Sequence, residues 1–146
     1  MSAAGAGSVD REGGRRAARR QAVVLLYQHD VTGLDLEELE RNAERDGTPV
    51  DPFSRALMEG VASDPASLDE LITGASEGWT AERLAPLERN ILRVAVHEIL
   101  DWPDIPTAVS INEAVDMAKR YCQTEAAGLV NGILGRIAAE QTEVAR

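Results

Sequence analysis

A segment near the middle of the chain, PLERNILRVAVHEILDW (residues 86–102), constrains the fold more than any other part of the sequence. Placed on a helix, it carries one broad apolar side and a second apolar side beside it. The broad side is formed by Leu87, Ile91, Val94, Ile99 and Trp102, and the second by Leu92, Val96 and Leu100. Because a helix at a protein surface needs only one apolar stripe, this segment is expected to form a central helix with several neighbours packed against it.

The remainder of the chain shows helical spacing as well, and it contains no strand-length alternating run and no internal repeat. Apolar residues make up 44% of the sequence but aromatic residues only 3%. The core therefore has to be built from Ala, Val, Leu and Ile, a composition that favours helices. With 146 residues the chain is long enough for one domain with its own core. We predict an all-α fold of about seven helices in a single domain.

Local signals mark the limits of the domain and the ends of several helices. The Gly-rich residues 1–14 are predicted to be a disordered segment, residues 15–140 the helical domain, and residues 141–146 a C-terminal tail. Gly33 is expected to end the first helix. Asp64, which is followed by a proline, is expected to cap the start of the fourth helix.

The sixth predicted helix follows Pro106. Its apolar stripe consists of Ile111, Val115, Ala118 and Cys122, at steps of four and three residues. Ser110 and Glu113 match a capping box at its start, although Thr107 could begin the helix earlier. The position of Cys122 on this stripe predicts a packed thiol rather than a nucleophile.

The sequence has no features of a membrane protein or an enzyme. No stretch approaches the ~18–20 uninterrupted apolar residues of a membrane span. The N-terminus lacks a hydrophobic signal core, and the single cysteine fits a reducing cytoplasm, so we expect a cytoplasmic protein. His29 and His97 lie far apart, without Cys or carboxylate groups at metal-ligand spacing. No carboxylate pair stands out as acid and base, so we expect no catalytic residues, no metal and no cofactor.

The charge distribution is strongly uneven along the chain. The net charge is −10, which by itself argues against nucleic acid as a partner. Residues 1–20, however, contain five arginines and two acidic residues, whereas the remaining 126 residues contain ten basic and twenty-three acidic residues. The chain therefore presents one small basic edge on an acidic body, and any contact with RNA should be confined to that edge.

The arginines of this edge are spaced four apart, Arg15 with Arg19 and Arg16 with Arg20, so a helix would carry them as two adjacent basic stripes. Like charges at this spacing destabilise a helix by ~0.2–0.5 kcal/mol per pair, and cations near the N-terminus oppose the macrodipole. Phosphate oxygens, which guanidinium groups bind bidentately, are the obvious compensating partner. The alternative is an ordinary solvated or disordered basic arm.

Several segments together resemble the NusB family of bacterial transcription antitermination factors. They are RRAARRQAVVLLYQ (15–28), RLAPLERNILRVAVHEIL (83–100), IPTAVSINEAVDMAKRY (105–121) and the following GLVNGIL (128–134). The resemblance runs from about Arg15 to Ala139 in the right order and spacing. INEAV…AK followed by VNG is its most distinctive part, whereas the arginine helix alone would be a weak signal.

The resemblance implies an all-helical fold of two small subbundles packed together. It also implies a partner and a ligand: the small-subunit ribosomal protein NusE, and the single-stranded boxA element of nascent RNA. In the family, this assembly helps RNA polymerase read through ribosomal RNA operons. The expected mechanism is therefore assembly of an RNA-bound complex rather than catalysis.

Carried over by position, Arg15, Arg16 and Arg19 match family arginines that contact RNA, and Arg20 falls where the family varies. Tyr27 matches a position near the NusE contact, and Glu88 matches a carboxylate that faces that partner. The chain departs from the family pattern at Leu129, where the family often has an aromatic residue, and at Tyr121-Cys122, where it often has Phe-Gly. If the aromatic ring stacks on a base, Leu129 loses part of that stacking, which is worth ~1–3 kcal/mol per base. From the residues alone, Tyr27 could equally be a half-buried core residue or an exposed ring.

Two further interpretations belong to other classes. A NusB-like helical domain also occurs at the N-terminus of a family of rRNA cytosine methyltransferases, which need a long methyl-donor-binding domain after it. This chain stops at Arg146, which disfavours that interpretation unless the sequence is truncated. The other interpretation is a structural homodimer, formed through acidic helix faces or the Gly-bearing apolar face of the last helix.

Overall fold

The computed structural model describes residues 7–145, with side chains described from residue 14 to residue 143. In this range it has seven α-helices, one short 3-10 helix and no strand, so the all-α prediction is confirmed. The α-helices are α1 (Gly7–Thr32), α2 (Leu36–Arg45), α3 (Pro52–Ser63), α4 (Pro65–Ala75), α5 (Pro86–Asp101), α6 (Thr107–Tyr121) and α7 (Ala126–Ala145). None of these helices has the length and apolar content that crossing a membrane requires.

The chain divides into two compact units, residues 1–58 (unit 1) and residues 59–146 (unit 2). In unit 1, α1 and α2 pack against each other. In unit 2, α5 contacts α4, α6 and α7, and α7 also packs on α4 and α6. The number of units agrees with the two subbundles that the family resemblance implies.

Helix α5 is the centre of unit 2, as its two apolar sides predicted. Its buried apolar residues are Ile91, Leu92, Val94, Ala95 and Val96. Pro86 begins the helix, where its fixed φ and missing N–H cost nothing. The buried side chain of Asn90 donates to the Pro86 carbonyl oxygen at 2.8 Å, which gives its amide a partner inside the apolar surroundings. Leu100, assigned to the second apolar side, lies instead on the exposed part of the helix.

A buried polar pair connects α5 to α6. The Ser110 hydroxyl donates to Glu98 Oε1 at 2.8 Å, and both side chains are buried. The capping box predicted from Ser110 and Glu113 is therefore wrong: α6 begins at Thr107, its N-cap residue is Pro106, and no side chain caps it. Ser110 lies inside α6 with its side chain buried, so its hydroxyl is placed to donate to the buried Glu98 carboxylate rather than to act at the start of the helix.

Two predicted helix ends are confirmed. Asp64 caps α4, with its carboxylate accepting from the Ser67 backbone N–H at 3.2 Å and from the Ser67 hydroxyl at 2.6 Å. The hydroxyl bond and then the backbone bond lower the pKa of the Asp64 carboxyl. Gly33 follows α1 at φ +76°, a left-handed conformation that ends the helix at little cost for glycine.

The outer ends of the chain differ from the prediction. Helix α1 begins at Gly7 rather than at Arg15, so residues 7–14 are helical; residues 1–6 of the predicted disordered segment lie outside the described residues. The two glycines before Arg15 led to the wrong boundary, because glycine lowers helix propensity by about 1 kcal/mol without excluding the helical conformation. Helix α7 likewise continues to Ala145, through most of the predicted tail.

Candidate nucleic-acid interface

The four arginines predicted to bind RNA lie together on α1, and we call them the arginine edge: Arg15, Arg16, Arg19 and Arg20. They are not equally accessible. Arg16 is exposed and Arg15 and Arg20 are half-buried, whereas Arg19 is only 1% exposed. A ligand approaching from solvent therefore meets three of the four guanidinium groups.

The ring of Phe53, in the first turn of α3, lies against the arginine edge. The guanidinium carbons of Arg15 and Arg19 are 4.9 and 5.6 Å from the ring centroid, a cation–π geometry. The Phe53 backbone N–H donates to Asp51 Oδ1 at 2.8 Å, which helps to fix the start of α3. The like-charge pair Arg15–Arg19, unfavourable on an isolated helix, is therefore compensated inside unit 1 and does not need phosphate to explain it.

Hydrogen bonds connect the part of α1 that carries the arginine edge to the turn before α3 and to the first turn of α3. The Gln21 amide donates to the Pro49 carbonyl oxygen at 3.1 Å and accepts from the Asp51 backbone N–H at 2.9 Å. The buried Ser54 hydroxyl donates to the Ala18 carbonyl oxygen at 2.7 Å. These contacts hold the backbone beneath the arginine edge, so the exposed guanidinium groups extend from a fixed support.

A groove of about 660 Å³ lies between α1 and α2, and Arg20 and Asp46 are among the residues that line it. Its walls are mostly apolar, and two of the residues that line it, Val24 and Leu34, are exposed. Gln28 and Asn42 add amide groups to the same groove. A largely apolar groove with amide groups, one cation and one carboxylate in its lining is large enough to take an unstacked base.

The other predicted site residues lie in both units. Tyr27, on α1 in unit 1, is half-buried, which agrees with the first of the two alternatives that the sequence left open, a half-buried residue rather than an exposed ring. In unit 2, Glu88 lies in the first turn of α5 and Leu129 near the start of α7, and both are half-buried.

Burial, and then the negative charge of Glu88, raise the pKa of the Cys122 thiol. A raised pKa disfavours the thiolate, which agrees with a packed cysteine rather than a nucleophilic one.

The parts of the site that support the arginines are not predicted by the sequence. Helical spacing places Phe53 on the apolar stripe of α3 and gives no role to Gln21. One signal was available: Phe53 is the only phenylalanine of the chain, and it directly follows the Asp51-Pro52 turn. Its pairing with Arg15 and Arg19, more than thirty residues earlier, depends on tertiary contacts that no local pattern contains.

Comparison with known proteins places this architecture in one family. The family model described as the NusB family matches residues 16–139. A transcription antitermination protein NusB from Pelotomaculum thermopropionicum is 39% identical over 132 residues, which cover 88% of this chain and 92% of that protein. The family match includes the central helix α5, the α6–α7 segment on which the resemblance was based, and the arginine edge from Arg16 onwards.

Solved structures agree with the sequence matches. T. maritima NusB superimposes with a TM-score of 0.76 at 36% identity, covering 86% of this chain and 91% of that one. A second match is a chain from a crystal structure of the antitermination factors NusB and NusE in complex with double-stranded RNA. It also gives a TM-score of 0.76, at 25% identity, and the match covers 86% of this chain and 96% of that one. On the evidence of the family model, the curated relative and the shared fold, this chain belongs to the NusB family.

Proposed function

We propose that this protein is a transcription antitermination factor that pairs with NusE and binds the boxA element of ribosomal RNA transcripts in the cytoplasm. Bound in this way, it would promote read-through by RNA polymerase. The observation that carries the proposal is the arginine edge, a cluster of partly exposed guanidinium groups on an otherwise acidic protein. Membership of the NusB family confirms that the protein is not an enzyme, so its role is assembly rather than chemistry.

The solved complex of NusB, NusE and double-stranded RNA supports both partners, since a chain of that complex shares the fold and a quarter of its residues with this protein. The family resemblance specifies single-stranded boxA RNA. Single strands suit the arginine edge, because an exposed cluster on one helix can follow a flexible backbone while unstacked bases enter the adjacent groove. The RNA used in a test should therefore include single- and double-stranded forms of one sequence.

The roles within the arginine edge differ. Arg16 is the most accessible group and is proposed to bind a phosphate directly, with Arg15 and Arg20 on either side. Arg19, which resembles a family RNA contact by position, is buried against Phe53, and we propose that it supports the edge from beneath. Leu129 is proposed to add an apolar contact to the RNA in place of the aromatic ring usual at its position.

The protein partner is proposed to bind through Tyr27 and Glu88. Tyr27 presents part of a ring and a hydroxyl, a combination that suits a protein interface. Glu88 is half-buried at the start of α5, where its carboxylate also complements the positive end of the helix dipole. A basic ribosomal protein would complement the excess of acidic residues outside the arginine edge.

Replacing Arg16 with alanine is expected to weaken binding to single-stranded RNA and to flatten its salt dependence. Removing one phosphate contact should reduce the slope of log K against log salt by ~0.7, because fewer counterions are released from a single strand. The slope is measured by fluorescence anisotropy with labelled boxA RNA over a series of salt concentrations. Arg41→Ala is the matched control, since Arg41 is an exposed arginine on α2 of the same unit. If Arg16→Ala leaves the slope unchanged, the arginine edge does not bind the RNA.

Mixing the protein with NusE is expected to give a one-to-one complex that binds boxA RNA more tightly than either protein alone. The physical reason is linkage: a partner that extends the RNA surface must itself bind more tightly when RNA is present. Sedimentation velocity, with and without NusE and RNA, measures the species formed. A homodimer that persists unchanged in the presence of NusE and RNA would contradict this and favour the self-associating interpretation.

A further inference from the structure

The groove between α1 and α2 in unit 1 contains two charged side chains that the fold does not use. Arg20 and Asp46 line the groove, and neither makes a side-chain hydrogen bond or an ion pair within the described residues. Gln21, in the same lining, is instead bonded to the turn before α3. Free polar groups along a mostly apolar groove are typical of a ligand site.

The contacts of Gln21 show where the two charged groups lie along the groove. Its amide donates to the Thr48 carbonyl oxygen at 3.4 Å and to the Pro49 carbonyl oxygen at 3.1 Å, which brings the end of α2 beside this part of α1. Arg20 precedes Gln21, and Asp46 lies two residues before Thr48, so both charges belong to the same end of the groove. Because Arg20 is also part of the arginine edge, the groove is continuous with the proposed phosphate contacts.

Asn42 and Asp46 form a combined hydrogen-bonding surface at this end. They are four residues apart at the end of α2, so their side chains lie on the same side of the helix. The Asn42 amide oxygen accepts from the Arg45 guanidinium. Because a guanidinium group only donates, this bond fixes the orientation of the amide and leaves its NH2 group available as a donor. Asp46 is exposed and adds two acceptor oxygens beside this donor.

One donor beside two acceptors is the complement of guanine. The Watson–Crick edge of guanine consists of one acceptor, O6, followed by two donors, N1–H and the N2 amino group. A carboxylate accepts from both donors, and an amide NH2 group donates to O6. Adenine, cytosine and uracil each have only one donor group on this edge, so with them a carboxylate oxygen would face a second acceptor.

The walls of the groove suit the faces of a base but do not distinguish one base from another. Val24 and Leu39 are among the apolar lining residues, and no aromatic residue lines the groove in the part of the chain that the structure describes. Ring stacking therefore contributes little, and the choice of base depends on hydrogen bonds. The carboxylate of Asp46 would repel a phosphate, so it favours a ligand that presents donors to it.

We infer that the groove is a guanine site, in which Asp46 accepts from N1–H and the N2 amino group, Asn42 donates to O6, and Arg20 binds the adjoining phosphate. The inference rests on the proposed function, because the guanine belongs to an RNA strand bound at the arginine edge. It adds base recognition to an edge that otherwise contacts only phosphates, which carry no sequence information.

The test measures binding of short oligouridines that carry one guanine, inosine, adenine or cytosine at the same central position. The wild type is expected to bind the guanine RNA about five- to tenfold more tightly than the adenine and cytosine RNAs, the lower part of the range for a bidentate base contact. Inosine, which lacks the N2 amino group, should bind with intermediate affinity. Asp46→Asn should lose most of the preference for guanine, because the amide retains only one acceptor oxygen.

Asp35→Asn is the matched control. Asp35 is an exposed residue at the other end of α2, its side chain caps no helix N–H, and it is not among the residues that line the groove. Both variants remove one negative charge and should strengthen binding to every RNA. Only Asp46→Asn is expected to change the ratio between the guanine and adenine affinities, so this ratio separates base recognition from charge.

Equal binding of all four RNAs by the wild type, with a salt slope that still depends on Arg16, overturns this inference and leaves the proposed function standing. If, in addition, Asp46→Asn but not Asp35→Asn weakens the complex with NusE, the groove takes a segment of protein instead of a base. Failure of the wild type to bind the guanine oligouridine also overturns the inference. Failure to bind boxA RNA as well overturns the proposed function.

Discussion

Replacing Ile91 with alanine is expected to lower the free energy of unfolding by about 2–5 kcal/mol, the range for removing a fully buried aliphatic side chain. Ile91 is 0% exposed on α5, and α5 is packed by α4, α6 and α7. Three neighbouring helices leave little room for the site to collapse around a smaller side chain. The loss should therefore combine the transfer free energy with the cost of a cavity.

Urea unfolding followed by tryptophan fluorescence measures this effect where it arises, because both tryptophans of the chain, Trp79 and Trp102, lie in unit 2. The control is Leu100→Ala on the same helix. Leu100 is 38% exposed, so this variant should lose less than about 1 kcal/mol. Equal losses in Ile91→Ala and Leu100→Ala would mean that α5 is not the centre of this unit.

Replacing Arg19 with alanine is expected to lower the free energy of unfolding by about 2 kcal/mol, the size of a desolvated cation–π contact. The side chain is buried against Phe53, so its removal takes away packing as well as charge. Hydrogen exchange of the α1 amides measures the effect locally in unit 1. Arg16→Ala, four residues from Arg20 and exposed, should change stability by no more than about 0.5 kcal/mol.

The two arginine variants separate a supporting role from a binding role. Arg16→Ala should alter the salt slope of RNA binding and leave stability unchanged, whereas Arg19→Ala should alter stability first. Phe53→Leu, which removes the ring and keeps an apolar side chain, should reproduce part of the Arg19→Ala loss. If Arg19→Ala leaves stability unchanged and flattens the salt slope instead, Arg19 is a direct RNA ligand and the supporting role proposed for it is wrong.

The uneven charge distribution of the chain affects where RNA could bind. Unit 2 has fifteen acidic and seven basic residues, which should repel RNA, so the proposed binding is expected only where basic side chains are exposed, as at the arginine edge. If the proposed function holds, affinity beyond that of the arginine edge is expected to come from the protein partner, so RNA binding should also be measured on the assembled complex.

Much of the architecture could be predicted from the sequence because helical periodicity and local caps act over a few residues. The central position of α5 followed from its two apolar sides, the start of α4 from Asp64, and the end of α1 from Gly33. The family and the position of the arginine edge could also be recognised from local segments, since RRAARR and INEAV…AK are contiguous. The start of α1 was predicted less well, because glycine weakens a helix without forbidding it.

What the sequence by itself determined was therefore the set of helices, the central α5 and the cluster of arginines on α1. Tertiary structure decided which of those arginines a ligand can reach, because the burial of Arg19 depends on Phe53, a residue that folding brings from α3. It also decided that Ser110 bonds to Glu98 rather than capping α6. The local preferences of single residues, such as that of a serine for capping a helix, are worth about 1 kcal/mol. The free energy gained when a buried polar group finds a partner is larger, so the tertiary contact decides the outcome.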